Sequence, residues 1–171
     1  NLTKRDSLGR MVRAFHKKVY LKLPMDTIKK KLIDSDMMEL KYHNGKEQWK
    51  PKCFSQSINN DDLEILEKYN SMIRGFYNYY SIANNCSILN HYRYIMQCSM
   101  YKTFAGKYRT TVGKIAKQYV QDGVFTVRYE NSKKVINSRI FYNEGFKRKT
   151  PNFSENVDKI PTVYHTNTTS L

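Results

Sequence analysis

Between residues 61 and 119 apolar side chains return at helical spacing three times over. Leu66, Tyr69, Ile73, Phe76, Tyr77 and Tyr80 are separated by steps of one, three and four, which sets them on one face of a first helix. Asp61 stands where an N-cap belongs, and Glu64 completes a capping-box-like start. Gly75, inside that helix, costs about 1 kcal/mol relative to Ala, so a close packing contact is expected there. Asn84 and Asn85 end the element. Leu89, Tyr92, Met96, Met100 and Phe104 form a second stripe, predicting a helix over 87–107. Thr110 or Thr111 suits the N-cap of a third helix, which carries Val112, Ile115 and Tyr119 inward and stops at Gly123.

The flanks are less regular. Residues 1–22 are strongly basic, and Leu8 to Phe15 reads as a short helix. The alternation in VYLKL, residues 19–23, predicts a brief strand. Pro24 then opens a short amphipathic helix in MDTIKKKLIDSDMM, with Met25, Ile28, Leu32 and Ile33 on one face and Lys29, Lys30 and Lys31 mostly on the other. Residues 41–60 hold Gly45, Pro51 and a polar cluster, and read as a loop. Past Gly123 the period changes to two: Phe125, Val127 and Tyr129 alternate, NSKK turns, and 135–142 return as a second strand. From Lys147 the chain is polar and expected to be flexible or ordered by a partner. The fold class expected is mainly α: a small helical bundle with a short β-hairpin and a flexible basic tail.

Charge changes the picture. Thirty Lys and Arg face fifteen Asp and Glu, a net charge of +15. A field of that sign favours polyanions, either nucleic acid or an anionic membrane face. No apolar run is long enough to span a bilayer. Cys53, Cys86 and Cys98 are odd in number and far apart, which suits a reducing compartment and no disulfide framework. The first residue is not methionine, so the chain reads as a fragment or processed product. The abundance of Asn, Lys, Ile and Tyr fits an AT-rich genome, such as an organellar one.

Catalytic chemistry finds no foothold. His16, His43, His91 and His165 do not pair at metal-ligand spacing, and there is no phosphate-cradling Gly-rich loop or nucleophile elbow. Asp61 and Asp62 could be taken for metal ligands, but their place at a helix start makes capping the better explanation. His91 reads as a surface or hydrogen-bonded histidine.

What stands out is an acid-free block. Between Glu67 and Asp122 there is no carboxylate, while Lys68, Arg74, Arg93, Lys102, Lys107, Arg109, Lys114 and Lys117 all fall there, with nine of the fourteen tyrosines. Solvated helices ordinarily mix signs, because i,i+4 ion pairs stabilise them and like charges repel. A phosphate backbone makes the one-sided arrangement useful, since each Lys or Arg contact releases condensed counterions. Tyr69, Tyr77, Tyr80 and Tyr92 lie at core spacing and pack. Tyr79, Tyr94, Tyr101 and Tyr108 lie off the stripes and are candidates for stacking on unpaired bases.

YNSMIRGFYNYYSIANN, followed by SMYKTFAGKYRTTVGKI, resembles the maturase-specific region, domain X, of group II intron-encoded proteins. LKLPMDTIKKKL, GKEQWKPK and the helix near Asp61 are similar to the path from palm to thumb in these reverse transcriptases, so the resemblance runs from about Val19 to about Val120. It implies a basic segment leading from the palm over 1–23 and a thumb and domain X over 24–122, after which the residue pattern gives a hairpin over 123–146 and a polar tail over 147–171. It also implies a grip on group II intron RNA that aids folding and splicing, with template–primer as a further partner and a mitochondrial or, alternatively, chloroplast location. Arg74, Lys102, Lys107 and Arg109 occupy matching motif positions as RNA contacts; Arg93, Lys114 and Lys117 join them on the charge argument. The family's paired palm aspartates and Cys/His endonuclease module are not found in this sequence. No cofactor is therefore expected on these residues, with Mg²⁺ expected only at the palm and in the intron RNA. Two other readings stay open: the template–primer clamp of a reverse transcriptase and homing protein, or a basic structural protein of a mitochondrial ribonucleoprotein.

Overall fold

A computed structural model of the protein describes residues 3–13, 20–131 and 133–150. Within them lie four α-helices and seven strands, so the fold is mixed α/β and not the mainly helical bundle expected. A hairpin comes first, β1 (Thr3–Arg5) paired with β2 (Met11–Arg13). The Asp6 carboxylate closes its loop by accepting from the backbone N–H of Leu8 and of Arg10, each at 2.9 Å. Residues 8–13 are thus turn and strand where a helix was expected; 14 and 15 lie outside the described residues.

Residues 20–23 form no strand. They are held extended by asparagine side chains instead. Asn85 accepts from the Leu23 N–H at 2.8 Å and donates to its carbonyl at 2.9 Å, and Asn84 accepts from Leu21 at 3.1 Å. α1 (Met25–Asp34) buries Ile28 and Leu32 as its periodicity requires. It stops sooner than expected, because Asp36 adopts φ 55° and the Met37 and Asp36 N–H groups bond back to the carbonyls of Leu32 and Ile33. That is a Schellman stop, and its apolar contact comes from Met37 and Leu32, both fully buried.

The stretch 41–60, expected as a loop, is largely a hairpin. β3 (Met38–His43) pairs with β4 (Lys46–Pro51), closed by Asn44 and Gly45 at φ 51° and 72°. Two positive φ values in a two-residue loop make the turn whose twist matches paired strands, and Asn-Gly is its preferred sequence. The polar cluster hid a strand with only one face turned inward, through Leu40 and Trp49. A 3₁₀ turn (Ser55–Ser57) then leads to α2 (Asp62–Tyr80), a second one (Cys86–Ile88) to α3 (Leu89–Lys107), and Thr111 caps α4 (Val112–Tyr119). The chain finishes in a three-stranded sheet of β5 (Val120–Gln121), β6 (Val124–Glu130) and β7 (Ile136–Ile140). Asp122 and Gly123, both at positive φ, turn β5 into β6, so Gly123 serves a hairpin and not a helix end.

One hydrophobic cluster runs from Leu23 to Phe146. Every member of the α3 stripe is buried, and so are Leu66, Tyr69 and Ile73 of α2. Full burial of a large apolar side chain contributes roughly 1.5–3 kcal/mol. Phe125 of β6 is set among three rings, with centroids 4.9 Å from Phe104, 5.1 Å from Tyr119 and 5.3 Å from Tyr101. This nest fastens the sheet to α3 and α4. The Tyr69 hydroxyl sits 2.9 Å from both Ser99 and Thr103, and burial pushes its pKa up to about 12. Asn70, also buried, donates to Ile140 O and accepts from Tyr142 N, binding the end of β7 to α2. Gly75 corrects an expectation: a Cβ built there meets nothing within 4 Å, so no close contact explains it. The three cysteines are free, and no helix among the described residues is long and apolar enough to cross a membrane. The tail is described only to Thr150, where Lys147 and Lys149 are tied by backbone groups to Tyr77 and Ser81; the expectation for 151–171 lies outside the described residues.

Candidate nucleic-acid interface

The turn joining α3 to α4 presents the densest group of predicted contacts: Lys107, Tyr108 and Arg109, then Lys114 and Lys117 on α4. α3 ends as α1 does. Arg109 and Thr110 donate to the carbonyls of Gly106 and Ala105, and Arg109 itself sits at φ 47°. A left-handed residue at that point is usually glycine. Here an arginine takes it, and the side chain is exposed. Lys114 and Lys117, three residues apart, share a face of α4 and are exposed too. Among the described residues no carboxylate pairs with any of these three.

Lys107 and Tyr108 are engaged differently. The Asp62 carboxylate, at the start of α2, accepts from the Lys107 ammonium at 2.7 Å, from the Tyr108 hydroxyl at 2.7 Å and from the Tyr119 hydroxyl at 2.6 Å. Lys107 also donates to Asn60 O. Burial pushes the Asp62 carboxyl upward, but the Lys107 ammonium and the two hydroxyls outweigh it and hold the pKa below the ordinary value. Burial, followed by the neighbouring carboxylate, drives Tyr119 upward. Asp62 therefore ties together the first turn of α2, the last turn of α3 and the end of α4. It is not a cap, and Asp61 makes no side-chain capping bond either. Sequence reasoning missed this junction, since its partners lie 45 to 57 residues away.

The other candidates are spread over the molecule. Arg74 lies 3.7 Å from Glu67, an acid it shares with Arg139. Arg93 donates to Tyr142 O at 3.0 Å and to Asn143 at 3.3 Å, with its guanidinium over the Phe141 ring. Lys102 donates to Pro51 O at 2.7 Å. The partners of Arg93 and Lys102 are carbonyl and amide oxygens, and among the described residues no carboxylate pairs with either. Of the tyrosines, Tyr79 and Tyr94 are 76% and 62% exposed, and the Tyr79 ring meets Tyr80 edge-on at 4.7 Å. Tyr101 is half-buried against Phe125. His91 is exposed, and among the described residues no three His, Cys, Asp or Glu side chains gather as a metal site.

A chain with this acid-free helical block also has recognisable relatives. A family model described as type II intron maturase matches residues 16–166. The group II intron-encoded protein LtrA of Lactococcus lactis subsp. cremoris is 30% identical over 154 residues, which is 89% of this chain and 25% of LtrA. Maturase K of Taxus baccata is 30% identical over 80 residues, 47% of this chain and 16% of that protein. The chain thus spans about a quarter of the length of LtrA. Because the family match takes in every described helix and all four candidate cations of the α3–α4 region, the chain belongs to the type II intron maturase family.

Proposed function

We propose that this chain is the RNA-gripping part of a group II intron maturase, holding folded intron RNA in a splicing-competent arrangement while the RNA performs the chemistry. The observation that carries the reading is the α3–α4 turn. Arg109, Lys114 and Lys117 stand exposed there, on a block of sequence that contains no acid from Lys68 to Gln121. Asp62, the carboxylate that reaches the end of α3, is already committed to Lys107 and two tyrosines. Like charges set so close repel, and a polyphosphate backbone relieves the repulsion by replacing condensed counterions. Arg93 and Lys102, bound to neutral acceptors, add to the same positive field. Within a longer parent protein the same segment would lie beside template and primer, and the Asn- and Lys-rich composition suits an organellar setting, mitochondrial or alternatively chloroplast.

The test is binding of the cognate intron RNA as a function of salt. Affinity should fall steeply with log[salt], and replacing Arg109, Lys114 and Lys117 together by Ala should flatten the slope by roughly 2 to 3, at about 0.7–0.9 per lost phosphate contact. A slope unchanged in a triple variant with native circular dichroism refutes the assignment of these residues.

A further inference from the structure

We propose that the cleft between the β3–β4 hairpin and α3 is a pocket for one unpaired nucleobase, with Lys102 beside it for the adjoining phosphate. The proposal deepens the RNA-gripping reading and rests on it. The cleft has a volume of about 340 Å³, and Trp49, Tyr94, Cys98, Tyr101, Lys102 and Val112 are among the residues that line it. That volume is at the lower end of the range for small-ligand sites, about 300–1,000 Å³.

Its walls are prepared in advance. The Trp49 indole N–H donates to Glu47 at 2.6 Å, and Glu47 in turn holds the Lys29 ammonium, so the ring is fixed by groups outside the cleft. Tyr101 is fixed by its edge contact with Phe125. Tyr94 is the exposed wall, with most of its side chain accessible. Rings locked before binding lose little rotamer freedom when the ligand arrives. Lys102 spends one N–H on Pro51 O, which places the ammonium at the rim with two donors left. α4 begins at Val112, so the positive end of a helix also opens onto the cleft.

These features select the occupant. Three aromatic side chains with a flanking ammonium are the residue types that hold a base and its phosphate in single-strand recognition. No carboxylate lines the cleft, so nothing there answers a basic peptide, whereas an anionic strand meets complementary charge.

Trp49 is the only tryptophan in the sequence, and its emission therefore reports on this cleft alone. The full 171-residue chain is titrated at low salt with octauridylate and, separately, with inorganic polyphosphate of matched charge. Octauridylate should quench Trp49 and polyphosphate should not. Tyr94→Ala should weaken octauridylate binding roughly 5- to 100-fold, the span of one base–aromatic stack. Tyr94→Phe, which keeps the ring, should bind as the parent does. Equal quenching by polyphosphate, or an unaffected Tyr94→Ala variant, overturns the pocket. Filter retention of folded intron RNA separates the two levels. A silent Trp49 with salt-sensitive retention removes the pocket alone, and a silent Trp49 without it removes the RNA-gripping reading as well.

Discussion

Arg109 makes a prediction in which folding and binding move in opposite directions. It occupies the left-handed position that ends α3, at φ 47°, with an exposed side chain. For a residue with a Cβ that conformation costs about 1–2 kcal/mol. Glycine removes the penalty but adds freedom to the unfolded chain, worth about 0.5–1 kcal/mol. The balance for Arg109→Gly is a gain of about 0.5–1 kcal/mol, which corresponds to a Tm rise of about 1–4 °C in a domain of this size. The same change deletes a guanidinium from the RNA-facing turn. One lost phosphate contact lowers the salt slope by about 0.7–0.9, and across the decade from 1 M to 0.1 M salt that slope amounts to roughly a sixfold loss of affinity at the lower concentration. The assay pairs thermal unfolding with RNA binding measured at four or five salt concentrations. A variant that unfolds later and binds more weakly with a flatter slope supports the account. If it binds RNA with the parent's affinity and slope, Arg109 touches no phosphate, and its strained backbone needs another explanation. If it unfolds earlier, the turn is held by side-chain contacts that outweigh the backbone term.

Two buried tyrosines should respond differently to loss of a hydroxyl. Tyr69→Phe strips a partner from Ser99 and Thr103 and should cost about 1–2 kcal/mol in urea denaturation; Tyr92, whose buried hydroxyl meets no acceptor among the described residues, should tolerate Phe with no loss. Gly75→Ala, with open space for the new methyl group, should stabilise α2 by about 0.5–1 kcal/mol, read from the shift in denaturation midpoint. The Asp62 junction predicts acid sensitivity. Its pKa is depressed in the folded state, so its contribution is fully present above the ordinary value of 3.8 and is lost as pH falls below it. Asp62→Asn should remove that part of the acid transition and lower stability at pH 7, and an acid limb identical to the parent's in pH-dependent unfolding would refute the linkage.

The apolar periodicity of α2, α3 and α4 was plain in the linear chain, because helical contacts recur every three or four residues and need no distant partner. The acid-free block was equally plain, since charge is a property of residues and survives any fold. The β3–β4 hairpin was not legible in the same way: its Asn44-Gly45 turn is a local signal, but a hairpin that turns only Met38, Leu40 and Trp49 to the core resembles a polar loop until α3 covers it. Nor could the sequence show how the cations would be shared out. Lys107 and Lys114 look alike in one dimension, yet folding brings Asp62 to the first and leaves the second exposed. The sequence by itself determined the four helices from α1 to α4 and the excess of basic residues, since both follow from neighbours a few residues apart. Which cations stay exposed, and that Trp49 and Tyr94 line one cleft, were decided only by tertiary packing. Those relations join residues some 45 positions apart, and no local rule reaches that far.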